Sequence, residues 1–453
     1  MRTPMDLAYM AVVLEQEQIE CKIQDYPALG ITTWDAFRDD LKQFAPDMVV
    51  ISVTTPTLKD DLVAAAVAKS YNKNILVVAK GAYLVKFSVA VLEEYPDLDV
   101  AIRGECEFIV KDIVASGDLS LVKGITYRSG SGVIENEPAA EFGDIDGLPS
   151  PARHLLNNNL YRAPDTGKPI TLVLTNRGCP NNCIYCLSPV VSGRTVRQRK
   201  PEHIVLELEE CVNKYGIRDF FFRADTFTWN KQWLLELCKG IIEKKLSIRW
   251  GTNSRVNTLD EERIIWMKKA GCDIIGLGIE SGDQNILNGM KKGITLDQCV
   301  SAVSLCREHG IKTYLFFVLG MPDDSEDTIR NTIKFAASLN GDFYNFFIAY
   351  PFPGTELYEI CVREKLFEHS SLFRHDFFMP VIRTRYLSNN RIRAFERQAQ
   401  IKMLLRPQAL LRIMRSARSP RIALNYIRGG ISALKNALFQ SQEKGFVDED
   451  IVD

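Results

Sequence analysis

The sequence predicts an α/β protein made of two successive parallel sheets, the second rolled into a partial (β/α)6 barrel, with a helical C-terminal tail. Three observations carry this reading. Short apolar runs such as Met48-Val49-Val50-Ile51-Ser52-Val53 alternate with stretches of helical spacing, the pattern of parallel strands covered on both faces. The alternation restarts near residue 170, after a break at Gly147-Leu148-Pro149-Ser150-Pro151 that no helix survives. Beyond about residue 385 only helical spacing remains, interrupted by Pro407, Pro420 and Gly429-Gly430. The chain therefore divides into residues 1–145, a linker at 146–168, a barrel at 169–385 and a basic helical region at 386–453.

In chain order, 7–16 has helical spacing, 20–23 reads as a short strand and 34–44 as a helix. Residues 48–53 form a buried strand, 59–70 a helix, 74–79 a strand, 85–94 a helix and 100–102 a short strand before Gly104. Ser129-Gly130-Ser131-Gly132 is a hairpin tip. In the second series, strands fall near 171–175, 219–223, 248–253, 273–279, 312–319 and 343–349. Helices fall near 201–214, 231–244, 259–270, 296–309 and 325–339. Six strand–helix steps are too few for a full eight-fold barrel and suit an open one, whose site lies at the carboxyl ends of the strands.

Composition narrows the function classes. With 453 residues, 46% hydrophobic and 25% charged, the chain can bury more than one core, which excludes a disordered tail, a collagen-like repeat and a small disulfide scaffold. A net charge of −1 gives no global field toward nucleic acid, and none is expected as a partner. Between Arg391 and Lys435, however, stand eleven Lys and Arg residues and a single acid, Glu396. A helix there either covers the barrel's open side with a solvated basic face, the preferred reading, or lies on an anionic membrane surface. The start has no basic n-region followed by an apolar stretch, and no run of 18 uncharged apolar residues occurs, so a cytoplasmic protein, at most peripheral to a membrane, is expected. Eleven cysteines in such a chain are reduced thiols, not a disulfide framework.

The densest chemistry is Asn176-Arg177-Gly178-Cys179-Pro180-Asn181-Asn182-Cys183-Ile184-Tyr185-Cys186, directly after the barrel's first strand. Three thiols within eight residues can turn toward one point. A structural zinc site wants four protein ligands, and the next candidates, His203 and Cys211, lie far along a helix. A 4Fe-4S cluster held by three thiolates leaves one iron open. A zinc loop with a distant fourth ligand, and with it a zinc-stabilised interaction protein, is the alternative from another class.

This loop resembles the signature of the radical S-adenosylmethionine (SAM) superfamily, and the resemblance extends over about residues 170–360. It implies that Cys179, Cys183 and Cys186 bind a 4Fe-4S cluster. SAM would chelate the fourth iron, and an electron from a reductant such as flavodoxin or ferredoxin would cleave it to methionine and a 5′-deoxyadenosyl radical. By the same resemblance Tyr185 stands beside the adenine, Asp225 meets the SAM amino group, and Asn253 and Arg255 face its ribose and carboxylate. Gly276-Leu277-Gly278-Ile279-Glu280-Ser281-Gly282 is similar to the family's GIESG-like motif. There Gly276 and Gly278 allow close approach of a ligand, and Glu280 and Ser281 line the SAM pocket.

Residues 1–115 resemble the flavodoxin/Rossmann-like cobalamin-binding domain that precedes many radical SAM domains. Leu7 to Glu15 looks like its first helix, Ala45-Pro46-Asp47-Met48-Val49-Val50-Ile51-Ser52 like its typical strand, and Arg103-Gly104-Glu105-Cys106-Glu107 like its RGExE turn. A corrinoid would lie over 53–58, 79–84 and 103–106, the carboxyl ends of the strands. This chain departs from the pattern in three places. No strand precedes the first helix, the turn after 74–79 carries Lys80 and Tyr83, and no histidine occurs before His154. The resemblance implies a cobalamin-assisted enzyme acting at an unactivated carbon by methyl transfer or oxidative ring formation, with a radical SAM enzyme that does not use cobalamin as the alternative. The substrate is a small molecule, with lipids and tetrapyrroles among the candidates.

Overall fold

The computed structural model describes residues 3–140, 143–367, 380–406 and 425. Its first sheet has the order β1 (Met48–Ser52), β2 (Leu76–Lys80), β3 (Val100–Ile102), β4 (Ile125–Ser129), β5 (Gly132–Glu135). β1, β2 and β3 run parallel, and β4 and β5 return antiparallel around the tip at Gly130-Ser131. The period of two is visible in the core. Val78, Val100 and Ile102 face the paired helices Met5–Gln16 and Cys106–Ser116, while Val77, Ala79 and Ala101 face the core shared with the helices Val63–Tyr71 and Leu84–Glu94.

Two expectations change here. Residues 20–23 join no sheet. They alternate in burial as a strand would, but the segment is held by side chains: Lys22 Nζ, Gln24 Nε2 and Tyr26 Oη all donate to Asp40 on the helix Asp35–Phe44, at 2.6, 3.0 and 2.7 Å. β1 is consequently the edge of the first sheet. The helix expected at 59–70 is two pieces, Leu58–Asp61 and Val63–Tyr71.

The second sheet begins with β6 (Ile170–Leu174). A two-residue ribbon, β7 (Asn176–Arg177) with β8 (Arg197–Gln198), follows before β9 (Asp219–Arg223), β10 (Arg249–Ser254), β11 (Cys272–Glu280), β12 (Lys312–Leu319) and β13 (Phe343–Ile348). Six strands lie in the order β13-β12-β11-β10-β9-β6, every neighbour parallel, which is the open barrel that the alternation predicted. Helices Pro201–Tyr215, Lys231–Glu243, Glu261–Lys269, Leu296–Glu308 and Glu326–Leu339 cover its outside. His309 caps the fourth of these at its carboxyl end, as its position after a helical stretch suggests. The helix Asn389–Leu404 packs on β13 through buried Ile392, Phe395, Ala399 and Met403. Most of the basic stretch expected to meet either barrel or membrane lies outside the described residues.

The 146–168 segment is a packed strap that pins the two sheets together. Arg153 is 1% exposed, and Tyr161 and Ala163 are buried. Arg153 Nη2 lies 2.6 Å from Glu207 Oε1, on the helix Pro201–Tyr215, and donates to the Leu172 carbonyl at 2.8 Å. Arg199 closes the other side of Glu207 and donates to the Leu174 carbonyl at 3.0 Å and to Tyr9 Oη at 3.5 Å. Burial pushes the Glu207 carboxyl up, but Arg199 and Arg153 pull harder and hold it below the usual range. A buried carboxylate between two guanidiniums contributes through mutual necessity, because removing one member strands the others. Glu207→Ala should therefore lower unfolding stability by about 3–5 kcal/mol in a denaturant titration. A loss under about 1 kcal/mol would show that Glu207 does not hold the strap.

Candidate active site

The thiols are presented by a loop closed at its base by the β7–β8 ribbon, where Asn176 pairs with Gln198 and Arg177 with Arg197. Gly178 has φ +87°, and a Cβ built on it would fall 1.9 Å from the Thr195 carbonyl oxygen, so the two limbs approach more closely than any side chain permits. Asp225, past the end of β9, accepts from Gly178 N at 2.8 Å and from Ser188 Oγ at 3.0 Å, which ties the two flanks of the cysteine triplet to one carboxylate. The middle of the loop is pinned by Ile184 N to Met290 O at 3.1 Å and by Leu357 N to Ile184 O at 2.8 Å. Cys179 is buried, and Cys183 and Cys186 are half-buried. Asn181 Nδ2 donates to Cys179 Sγ at 3.2 Å and Arg255 Nη1 to Cys183 Sγ at 3.6 Å. Burial pushes the Cys186 thiol up against the pull of its hydrogen bonds at Ser188. Among the described residues no three His, Cys, Asp or Glu side chains gather into a site for a single metal ion.

The ribbon is held from the first sheet. Arg177 is paired with both oxygens of Glu107 and lies 3.2 Å from Glu105, while Glu105 takes Arg197 bidentately at 2.8 and 2.9 Å. Glu105 and Glu107 follow β3, in the turn of Arg103-Gly104-Glu105-Cys106-Glu107. Burial raises the Glu107 carboxyl, yet Arg177 outweighs it and keeps the group below its ordinary range. Sequence reasoning passed over this clamp. Its signal was available: two arginines flanking the cysteine loop, and two carboxylates one residue apart in the other sheet.

At the strand ends β11 bulges between Gly278 and Glu280, and Glu280 takes φ +67°, a left-handed conformation rare for a residue with a side chain. Its carboxylate is 7% exposed and receives Lys292 Nζ at 2.5 Å. Lys292 also donates to Tyr185 Oη at 3.2 Å. Burial, then the neighbouring Glu280 carboxylate, raises the Tyr185 hydroxyl well above its ordinary pKa. A Cβ on Gly278 would fall 2.4 Å from Glu280 Oε1 and 2.7 Å from Lys292 Nζ, so this glycine makes room for the pair. Gly276 likewise makes room for Asn253, whose Oδ1 would be 2.3 Å from a Cβ there.

The expected site residues thus separate. Tyr185, Glu280, Gly276, Gly278, Asn253 and Arg255 converge with the cysteine loop, with Arg255 also donating to the Lys292 carbonyl. Asp225 is engaged by the loop itself. Ser281 is buried and turned toward the helix Glu326–Leu339, where its hydroxyl meets Thr332 Oγ1 at 3.0 Å, a structural position. Lys292 was missed, because a single Lys in Lys291-Lys292-Gly293 reads as a solvated turn until the fold buries it.

Residues 173–336, which hold five of this barrel's six strands, match the model of the radical SAM superfamily. An "uncharacterized methyltransferase" of Pyrococcus horikoshii is 33% identical over 90% of this chain and 89% of its own length. The anaerobic magnesium-protoporphyrin IX monomethyl ester cyclase of Cereibacter sphaeroides is 27% identical over 78% of this chain and 59% of its own. Among solved structures, the radical SAM methyltransferase TsrM of Kitasatospora setae, with cobalamin and a [4Fe-4S] cluster bound, superposes with a TM-score of 0.67 at 21% identity, covering 80% of this chain and 76% of that one. A likeness at one-third identity along nine-tenths of the chain, on a barrel whose first loop carries the three thiols, leaves one conclusion: the chain belongs to the radical SAM superfamily.

Proposed function

We propose that this radical SAM enzyme methylates, or closes a ring at, an unactivated carbon of a small molecule with the assistance of a cobalamin. The observation that carries the reading is the meeting, at the carboxyl ends of parallel strands, of a three-cysteine loop with the buried Lys292–Glu280 pair. Cys179, Cys183 and Cys186 would hold a 4Fe-4S cluster; three thiols on one short loop, two of them with a nitrogen donor against the sulfur, fit such a cluster with one iron left open. Such a cluster supplies the electron that opens SAM. Lys292 and Glu280 offer one cation and one anion to the methionine end of SAM, Arg255 lies between that pair and Cys183, and Tyr185 closes the pocket above Lys292.

A corrinoid would be held by the turns after β1, β2 and β3. They offer the hydroxyls of Thr54, Thr55 and Thr57 and the Arg103–Cys106 backbone, a set that fits a macrocycle fringed with amides. Residues 1–153 contain no histidine, and His154 is hydrogen-bonded to Glu15 at 2.8 Å. When bound, cobalamin supplies a methyl group or a redox partner. The relatives that support this are a methyltransferase, a ring-forming cyclase and a cobalamin-bound structure. A flavodoxin- or ferredoxin-type donor suits the electron demand, and eleven free thiols suit a reducing, cytoplasmic setting. Among the described residues no helix is long and apolar enough to cross a membrane. The described start of the basic stretch at 391–435, the helix Asn389–Leu404 packed on β13, supports a cover for the barrel, with a peripheral contact with an anionic surface as the alternative.

Two outcomes are expected. Replacing Cys179, Cys183 or Cys186 by Ala abolishes the cluster's visible absorbance and reductive SAM cleavage in anaerobically reconstituted protein; a single variant that keeps both overturns the ligand assignment. Glu280→Gln and Lys292→Met keep the cluster absorbance but weaken SAM binding about tenfold or more, roughly 1.4 kcal/mol, by equilibrium dialysis. Unchanged affinity in both would return the pair to a purely architectural role.

A further inference from the structure

The lumen of the barrel carries a feature that the SAM pocket does not use. On β12, Thr313, Leu315, Phe317 and Leu319 turn outward and are buried under helices, whereas Tyr314, Phe316 and Val318 turn inward and remain half-buried. On β13, Phe347 is 47% exposed, with its ring 5.9 Å from that of Phe316. Tyr314 lies 4.8 Å from Phe316 and 6.0 Å from Phe343. Toward the amino ends of the strands these rings open into a cavity of about 500 Å3, bounded by Phe221, Ile274, Tyr314, Phe343, Met403 and Leu404.

The charges at the rim of that cavity are satisfied among themselves. Arg249 pairs with Asp165, Asp219 and Asp273, and Lys312 with Asp273. At the opposite end the Phe316 ring covers Gly276, where a built Cβ would fall 2.7 Å away, and the next inward position, Gly278, lies beneath Glu280 and Lys292. Side chains ordinarily fill the interior of a parallel barrel. Here Gly251, Gly276 and Gly278 carry none at three positions of the central strands β10 and β11; Ile274 and Phe316 lean over the first two, while Tyr314, Phe316, Val318 and Phe347 stay partly open on the inward face.

We propose that this lumen seats the substrate, and that the substrate carries a long aliphatic chain, of fatty-acyl or isoprenoid chemistry, laid along Tyr314 and Phe316 with its reacting carbon near Gly276 and Gly278. The proposal rests on the reading of the strand ends as the SAM pocket. Three observations favour a chain over a flat tetrapyrrole. The apolar face runs from Tyr314 to Val318, a track about 13 Å long at about 3.3 Å per residue, and continues into the cavity. Among the described residues its cations, Arg249 and Lys312, are already paired with carboxylates and neither is free to meet propionate groups. It narrows at Phe316 above Gly276 and widens only at the far end, where a chain terminus would lodge.

The test uses the full-length protein, purified anaerobically with SAM present, and cis-parinaric acid, a fluorescent eighteen-carbon probe. Saturable binding with enhanced emission is expected. Leu404→Trp, which fills the cavity from the helix Asn389–Leu404, and Phe347→Arg, which puts a charge on the track, should each weaken binding at least tenfold. Leu405→Trp, one residue on and 62% exposed, should not. Thermal melting by circular dichroism verifies that each variant is folded, and both test positions are at least partly exposed. Absence of probe binding, equal binding by all variants, or binding of zinc protoporphyrin in place of the probe overturns the proposal. SAM cleavage by the wild-type protein without substrate is read separately. Its failure would remove the strand-end SAM pocket itself, whereas intact cleavage with no probe binding removes only the aliphatic chain.

Discussion

The arrangement of the site depends on four charged side chains that join the first sheet to the cysteine loop. Glu105 and Glu107 receive Arg177 and Arg197, which face one another across the β7–β8 ribbon. All four side chains are largely withdrawn from water, so each charge has given up hydration that only its partner replaces. Fork-shaped guanidiniums on carboxylates set direction as well as distance. The loop that presents the thiols is thereby oriented by the first sheet, and the turn after β3 works as a bracket whatever else that sheet holds.

Beyond the bracket, the pocket stores strain. A left-handed Glu280 costs on the order of 1–3 kcal/mol, and the neighbouring bulge and glycines give up packing. The Lys292 ammonium and the Tyr185 hydroxyl collect at that point, which is also where β11 departs from regular pairing. By the strand's period of two Glu280 shares the inward face with Gly276 and Gly278; the bulge and the left-handed backbone fold its carboxylate back over Gly278. Charge, hydroxyl and backbone distortion are thus one device.

Much of this was legible beforehand because it is local. The strands and helices of the barrel lie within a few residues of where hydrophobic period and breakers placed them, and the three thiols announced themselves by spacing. What escaped depends on pairs distant in sequence. Lys292 becomes notable only when Glu280 folds over it, Arg177 only when Glu107 arrives from 70 residues away, and Arg153 only when Glu207 does. The 20–23 segment failed for a related reason: its alternation is real, but Asp40 captures its side chains and it forms no ladder. The strap at 146–168 looked like a linker because a run of prolines and polar residues gives no sign of the carboxylate that buries it.

That strap bears on how the chain matures as it is made. Arg153 finds its acid only at Glu207, on the first helix outside the barrel, and Tyr9 accepts from Arg199, which pairs with the same carboxylate. At about 5–20 residues per second, the stretch from Tyr9 to Glu207 takes on the order of ten to forty seconds to synthesise. Throughout that interval Tyr9 lacks the Arg199–Glu207–Arg153 group that covers it, although Asp6 of the same helix already has Lys80, and the guanidinium of Arg153 cannot leave water. The N-terminal sheet therefore precedes the acid that fastens it to the barrel, and the Tyr9 side of its first helix is the surface a chaperone would meet on the ribosome.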